Sequence, residues 1–169
     1  KRLIDYRIYD IQKRANVEIY KQSPLEKEDI LELEIPNVFI ATGARWREDG
    51  VGRQHRKPLL ISNDTQKLTP EDIMERKNAP KGDILIFDDD QIYLGGVLAE
   101  HLANFDLKVT FVTPASVVSP WTENTLEQSR IQKRLINLGV KIYTNYNLQE
   151  IQNGVAIISC VYSGLKQEV

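Results

Sequence analysis

Cysteine is nearly absent from this sequence of 169 residues, since Cys160 is the only one. A lone cysteine excludes an internal disulfide, and it excludes a metal or iron–sulfur site built from this chain's own cysteines. Cys160 lies in an apolar run, which predicts an inert buried thiol. Long apolar runs are also missing. None approaches the roughly 20 residues of a membrane-spanning helix, and no signal peptide opens the chain.

A large excess of one charge sign is missing too. The formal net charge is −2, so electrostatics gives no reason to expect binding to nucleic acid or to an anionic membrane. Hydrophobic and charged fractions of 41% and 27% are ordinary and allow a packed core. Together these features predict a cytoplasmic globular protein without nucleic-acid or membrane partners.

The first 80 residues mix short apolar segments with polar stretches. Ile4, Ile8 and Ile11 recur at helical spacing. Since the sequence begins at Lys1, already inside this helical pattern, we expect it to be a piece of a larger protein. Thr69 followed by Pro70 and two acids predicts the start of a helix. The predicted elements are a helix at 2–14, a strand at 17–20, a turn or short helix at 23–31, a strand at 37–43 and a helix at 69–76.

From residue 81 the pattern becomes regular. It predicts strands at 83–87, 108–112 and 140–143, and helices at 93–104 and 123–138. Asn153-Gly154, between two apolar stretches, is a strong signal for a hairpin turn. Strands that alternate with helices before a hairpin predict a parallel sheet with an antiparallel addition. Gly96, Ala99 and Ala103 would let the first helix lie close to that sheet, so the predicted fold class is α/β and Rossmann-like.

An acidic turn, Asp88–Asp90, stands where a dinucleotide-binding fold has its glycine-rich turn. Counted back from the helix, the three glycine positions of that fingerprint fall on Asp90, Ile92 and Gly95, so only one is glycine. Carboxylates repel a pyrophosphate, and a branched side chain blocks its approach. The strand that ends at Val112 is followed by Thr113-Pro114-Ala115, which lacks an acid or a base for the ribose. We therefore predict that this unit does not bind NAD(P).

Two other interpretations of the acidic turn remain open. Clustered carboxylates suit Mg²⁺, as in a receiver-like module. The third strand is followed by Thr144-Asn145-Tyr146-Asn147, however, without the acid that a receiver needs. The alternative is a solvated turn that partly caps the following helix, where negative charge is favourable.

The other polar candidates are weaker. His55 is predicted to be a solvated loop residue. His101 is predicted to face outward or to border the apolar stripe of its helix. Ser159 and Ser163 lack the context of a catalytic nucleophile, and Trp46 and Trp121 lie in predicted loops. A basic surface of solvated side chains is predicted at Arg130, Lys133, Arg134 and Lys141. The residues thus predict no catalytic group and no metal ligand in this chain.

Several segments resemble one family of enzymes, the iron–sulfur flavoprotein amine dehydrogenases, which are built on an Old Yellow Enzyme-type barrel. The similarity covers nearly the whole chain. The matching segments are VFIATGARW (38–46) with the following Asp49-Gly50, FDDDQIYLGGVLAE (87–100), VTPA (112–115), SPWTENT (119–125) and RIQKRL (130–135).

The resemblance implies that the parent protein is a flavin-dependent oxidoreductase, an amine dehydrogenase with FMN and a [4Fe–4S] cluster, and that this chain is a non-catalytic C-terminal fragment. It implies two reductase-derived domains. Residues 1–80 would be part of a FAD/ADP-binding-like domain that holds ADP in place of FAD. Residues 81–169 would be a degenerate NAD(P)-binding-like Rossmann domain of the glutathione-reductase type. Thr42 and Gly43 match a turn near the dinucleotide, so they are the candidate nucleotide contacts.

The resemblance also implies partners. The fragment would pack on the flavin barrel of its parent chain, and the parent would be a homodimer that passes electrons to an external acceptor such as an electron-transfer flavoprotein. Tyr6 matches a surface aromatic near the docking place of that acceptor. The alternative parent is an NAD(P)H-dependent enoate or dienoyl-CoA reductase, which a working NADPH site would favour.

Overall fold

The structure is a computed structural model that describes residues 2–75 and 80–169. The chain divides into two compact units, Lys1–Gly43 and Ala44–Val169. No helix in the described ranges is both long enough and apolar enough to cross a lipid bilayer.

The first unit holds two helices, α1 (Arg2–Gln12) and α2 (Lys27–Glu32). The helix predicted at 2–14 is confirmed. The short helix starts later than residue 23 because Glu26 caps it, with a backbone N–H that donates to the Asp29 carboxylate at 2.8 Å. The strands predicted at 17–20 and 37–43 are wrong, since both segments are irregular. Phe39 is 94% exposed, and an apolar segment forms a strand only beside a neighbour that takes up its backbone hydrogen bonds.

The second unit begins with a loop, a two-residue strand β1 (Leu60–Ile61) and a short helix α3 (Pro70–Met74). Thr69 caps α3 as predicted. Its hydroxyl accepts from the Asp72 N–H at 3.3 Å, and its own N–H donates to the Asp72 carboxylate at 2.8 Å. The predicted helix end at residue 76 lies outside the described residues, and β1 was not predicted.

A parallel sheet covered by two helices follows. Its elements are β2 (Ile84–Phe87), α4 (Leu94–Ala103), β3 (Val109–Thr113), α5 (Gln128–Asn137) and β4 (Lys141–Thr144), with the strands in the order β2-β3-β4. These match the prediction within one or two residues, except that α5 starts at 128 instead of 123. The cause is Leu126, whose φ of 61° is left-handed and separates α5 from the 3-10 helix Pro120–Glu123.

The hairpin predicted at Asn153-Gly154 is confirmed. It joins β5 (Tyr146–Gln152) to β6 (Val155–Cys160), and both turn residues have positive φ, 51° and 75°, as a tight hairpin turn requires. The hairpin does not extend the parallel sheet. It belongs to a second sheet completed by β7 (Lys166–Glu168), in the order β1-β5-β6-β7.

The core lies on both faces of the parallel sheet. On one face Phe111 and Leu135 are fully buried among the residues of α4 and α5. On the other face Val112 packs with Leu148 and Ile158 of the second sheet. Helices, a parallel sheet and a mixed sheet therefore form successive layers, and the predicted α/β, Rossmann-like fold class is confirmed. The partition into domains 1–80 and 81–169 concerns ancestry and stays a prediction.

Candidate functional site

The acidic turn lies between the carboxyl end of β2 and the start of α4, where ligands bind in open α/β sheets. Its first residue, Asp88, is only 4% exposed. One carboxylate oxygen, Oδ1, accepts from the Gln91 N–H at 3.1 Å. The other, Oδ2, is buried and has no hydrogen-bond partner among the described residues. The predicted solvated turn is therefore wrong for Asp88, because the start of α4 covers its side chain.

Burial raises the pKa of Asp88 to about 6, since a carboxylate loses its hydration inside the protein. The hydrogen bond from Gln91 opposes this rise, whereas the neighbouring charges of Asp90 and Asp89 add to it. Asp88 thus changes charge at about pH 6, and its buried carboxylate has a hydrogen bond to one of its two oxygens only.

Asp89 binds a loop that is distant in sequence. Its carboxylate accepts from the backbone N–H groups of Arg53 at 2.5 Å and of Gln54 at 3.0 Å. The Arg53 guanidinium also donates to the carbonyl of Asp90 at 2.9 Å. We call the segment 50–56 the covering loop, because it lies over the acidic turn. Successive backbone N–H groups of this kind form anion-binding nests in other proteins, and here they bind a carboxylate of the same chain.

His55 connects the covering loop to β2 through a ring contact. Its ring packs against Phe87 at the end of β2, with centroids 5.8 Å apart. Its Nε2 atom is buried and has no hydrogen-bond partner within the described ranges. The prediction of a solvated loop histidine is therefore wrong, because the loop folds back onto β2.

The helix after the turn is not capped by the acids. The residue before α4 is Tyr93, and no side chain caps the helix there, so the predicted partial cap is wrong. Gly95, the one glycine left from the fingerprint, is covered instead: a Cβ added there would lie 2.7 Å from the Asp88 carboxyl carbon. The space that a dinucleotide fold reserves for phosphate is thus taken by a side chain of the protein.

A cavity of about 680 Å³ adjoins the turn within the second unit. Its volume lies in the usual range of ligand pockets. Apolar side chains of β2, α3 and α4 form much of its wall, and three arginines and the three acids add charge. The main lining residues are Arg47, Arg53, Arg56, Leu68, Ile73, Ile84, Leu85, Ile86, Phe87, Asp88, Asp89, Asp90, Leu94, Leu98 and Leu102.

The residues predicted to contact a nucleotide, Thr42 and Gly43, are the last two residues of the first unit. Both are exposed and irregular, and Gly43 has a φ of 83° with nothing within 4 Å of an added Cβ. This backbone conformation favours glycine and suits a turn. Their role as nucleotide contacts stays a prediction.

The other residues singled out in the sequence make packing contacts, hydrogen bonds or ion pairs within the second unit. Ser159 is buried and accepts from Gln149 at 2.8 Å. Cys160, the last residue of β6, is half-buried, not buried as predicted, and hydrogen bonds with Ser163 lower the pKa of its thiol. His101 is half-buried and packs edge-on against Phe105. The predicted basic surface is exposed, and within it Arg134 pairs with Glu100 at 2.8 Å.

Sequence reasoning missed the covering loop. The loop and the acids that it binds are about 35 residues apart, so no local pattern joins them. The available signal was Gly50-Val51-Gly52 in a polar segment. Gly50 has a φ of 75°, and a Cβ at Gly52 would overlap the Asp89 carboxylate. Two glycines so placed indicate a loop that closely approaches another part of the chain.

We expect Asp89→Ala to loosen the covering loop. The change removes two hydrogen bonds to a charged acceptor, and a local loss of about 1.4 kcal/mol would raise the open fraction about tenfold. Limited digestion with trypsin should therefore cut after Arg53 or Arg56 about tenfold faster. Asp90→Ala is the matched control, because Asp90 contacts the loop through its backbone carbonyl. Equal cutting of both variants would contradict the assigned role of Asp89.

Comparisons with known proteins agree with this architecture. The family described as OYE-like second alpha/beta domain matches residues 68–168. Dimethylamine dehydrogenase from Hyphomicrobium sp. (strain x) is 31% identical over an alignment of 157 positions, and the match covers 89% of this chain and 21% of that protein.

Two solved structures match almost the entire chain. Histamine dehydrogenase from Rhizobium sp. 4-9 has a TM-score of 0.84 and 43% identity over 99% of this chain and 26% of that one. The 6-hydroxypseudooxynicotine amine oxidase from Pseudomonas geniculata N1 has a TM-score of 0.78 and 35% identity over 99% and 25%. The chain thus spans about a quarter of the length of these relatives.

The comparisons confirm the resemblance to amine dehydrogenases. They do not support the alternative of a receiver-like module. No cluster of three metal-binding side chains occurs in the described part of the chain either. Since the family match covers more than half of its residues, the chain belongs to the family of OYE-like second alpha/beta domains.

Proposed function

We propose that this chain is a non-catalytic, nucleotide-binding-like part of a flavin-dependent oxidoreductase that oxidises an amine. Relatives named for the oxidation of dimethylamine and histamine, at 31% and 43% identity, support the substrate class. The parent would carry FMN and a [4Fe–4S] cluster. An iron–sulfur cluster of this type needs four cysteine ligands, and this chain has one, so other parts of the parent would supply the cluster ligands. By the resemblance, FMN would be held by the barrel.

One observation carries the choice of amine dehydrogenase over an NAD(P)H-dependent reductase. The phosphate position of the Rossmann turn is closed twice, by Asp88 against Gly95 and by the covering loop bound to Asp89. A dinucleotide would have to displace both and approach three carboxylates. At about 4 Å each carboxylate–phosphate pair costs on the order of 1 kcal/mol in water and more in the protein. Electrons would therefore enter from the amine substrate.

The remaining parts of the proposal concern partners and the first unit. Thr42 and Gly43 would lie beside an ADP held mainly by residues outside this chain, and the open space around Gly43 allows a close approach. The chain would pack on the flavin barrel of a homodimeric, cytoplasmic parent. Tyr6, 62% exposed on α1, would contact an external electron acceptor such as an electron-transfer flavoprotein.

The test is anaerobic reduction of the complete protein, followed by flavin absorbance. We expect small amines, with dimethylamine (a secondary amine) and histamine (a primary amine) among the first tried, to reduce and so bleach the flavin within one catalytic turnover. NADPH and NADH at millimolar concentration should leave it oxidised, because the closed turn offers no pyrophosphate site. Rapid reduction by NADPH, and none by any amine, would contradict the proposal and support the enoate or dienoyl-CoA reductase alternative.

A further inference from the structure

The loop that covers the acidic turn is rich in positive charge and in hydrogen-bond donors. The segment 45–57 carries five basic and two acidic side chains, and three of its arginines line the cavity beside the turn. Two adjacent backbone N–H groups of the covering loop donate to one carboxylate, that of Asp89: Arg53 to Oδ2 and Gln54 to Oδ1. Adjacent N–H groups with arginine nearby are the donors that bind phosphate and similar oxyanions in proteins.

The backbone of the covering loop leaves room for an oxygen atom at these donors. A Cβ added to Gly52 would overlap the Oδ2 atom of Asp89, so only glycine keeps this place open. Glycine is the residue that permits such a close approach of a ligand to the backbone. The Arg53 guanidinium is held at the turn too, because it donates to the carbonyl of Asp90 at 2.9 Å. The loop therefore has paired donors, a guanidinium group and an unobstructed backbone in one place.

The folded chain supplies its own occupant for this place. A carboxylate offers two oxygens to adjacent N–H groups, as a phosphate group does. Because Asp89 belongs to the same chain, the contact is intramolecular and forms at a high effective concentration. The neighbouring acids Asp88 and Asp90 also repel a free anion. An anion in solution therefore competes poorly with Asp89 in the native sequence.

We propose that the covering loop is a binding site for tetrahedral oxyanions of the phosphate and sulfate type, and that Asp89 closes it as an internal ligand. The contact is autoinhibitory, since an external anion gains the Arg53 and Gln54 donors only when the carboxylate of Asp89 is removed. An added anion should therefore restore the closed loop in a chain that lacks this carboxylate. The inference depends on contacts within the second unit and not on the proposed amine oxidation, so the failure of one leaves the other standing.

The test is limited digestion with trypsin of the complete Asp89→Ala protein, in sodium phosphate and in sodium chloride of equal ionic strength at neutral pH. We expect about 100 mM phosphate to slow cutting after Arg53 or Arg56 about tenfold, as for a dissociation constant of about 10 mM. Chloride matches the screening by phosphate but not its oxygen acceptors, so it should leave the cutting fast. Equal cutting rates in the two salts would overturn the proposal.

Proteins that keep Asp89 are the matched controls. In the wild type and in Asp90→Ala the internal carboxylate still fills the site, so phosphate should change the cutting rate by less than about twofold. Slowing as large as that of Asp89→Ala would mean that phosphate acts on trypsin or on the chain as a whole, and it would overturn the proposal.

A second substitution separates anion binding from a general tightening of the loop. In the Asp89→Ala background, Gly52→Ala puts a Cβ where the Asp89 oxygen lies in the native chain, so phosphate should no longer slow the cutting. Slowing that survives Gly52→Ala would contradict the assigned place of the anion. Hydrogen–deuterium exchange is the second measurement, because it reports the donors directly. Phosphate should slow exchange of the Arg53 and Gln54 amides in Asp89→Ala, and unchanged exchange would also overturn the proposal.

Discussion

Asp88→Asn should stabilise the second unit at pH 8 by about 3 kcal/mol and leave it almost unchanged at pH 4. The pKa of Asp88 rises from 3.8 in the unfolded chain to about 6 in the folded one, and each pKa unit corresponds to about 1.4 kcal/mol. A group that binds its proton more tightly in the folded state favours folding fully below pH 3.8. That contribution is lost as the pH rises through about 6. Asparagine does not titrate, so the variant keeps its stability across this window.

Urea unfolding at intervals from pH 4 to pH 8 measures this difference, with circular dichroism as the signal. Asp90→Asn is the matched control, because it removes a carboxylate two residues away that is only half-buried. We expect the control to keep most of the wild-type pH dependence, because burial is the main cause of the raised pKa of Asp88 and the Asp90 charge only adds to it. If the Asp88→Asn and wild-type curves run parallel, Asp88 is not a buried acid in the folded protein.

Gly95→Ala should destabilise the protein by about 1–3 kcal/mol, as overpacking in a closed core does. The added Cβ would lie 2.7 Å from the carboxyl carbon and 3.0 Å from the Cβ of Asp88. Away from this contact, alanine is favoured over glycine in a helix by about 0.5–1 kcal/mol. The contact with Asp88 thus decides the sign of the effect.

A double-mutant cycle isolates the contact. An Asp88→Ala background removes the carboxyl group and leaves only the 3.0 Å contact with the Cβ of residue 88, so Gly95→Ala should lose most of its cost when measured by urea unfolding at pH 5. The coupling energy should then reach about 1–3 kcal/mol, as for residues in direct contact. If Gly95→Ala costs the same stability in both backgrounds, the side chain of Asp88 does not pack against the start of α4.

The part of the fold that follows residue 81 could be predicted because its signals are local. The apolar run of β2, the helical spacing of α4 and the Asn153-Gly154 turn each specify an element without help from distant residues. The strand expected at 37–43 failed because strand formation depends on a neighbour, and apolar composition alone does not supply one. The strand β1 has only two residues, too few for any periodicity to reveal.

The candidate site could be located but not described from the sequence. The residues Asp88–Asp90 were identified as an unusual turn, and the incompatibility with a pyrophosphate follows from their charge. Their separate environments do not. Asp88 is buried by the start of α4, and Asp89 is bound by a loop about 35 residues earlier. Burial and long-range hydrogen bonds arise from the tertiary fold, so three adjacent aspartates that look alike in sequence have different chemistry.

The short strand β1 has a consequence for how this polypeptide can be divided. Leu60 and Ile61 lie beside Glu150 and Ile151 of β5 in parallel register, so the second sheet takes its first strand from a region that precedes the whole Rossmann-like repeat. A truncated chain that begins at residue 81 would lose that strand, and β5 would have no partner strand on that side. If recombination exchanged such a piece between relatives, the piece would lack Leu60 and Ile61, which pair with one side of its hairpin. The domain boundary predicted at residue 81 and the first residue that the second sheet needs therefore fall at different places in the chain.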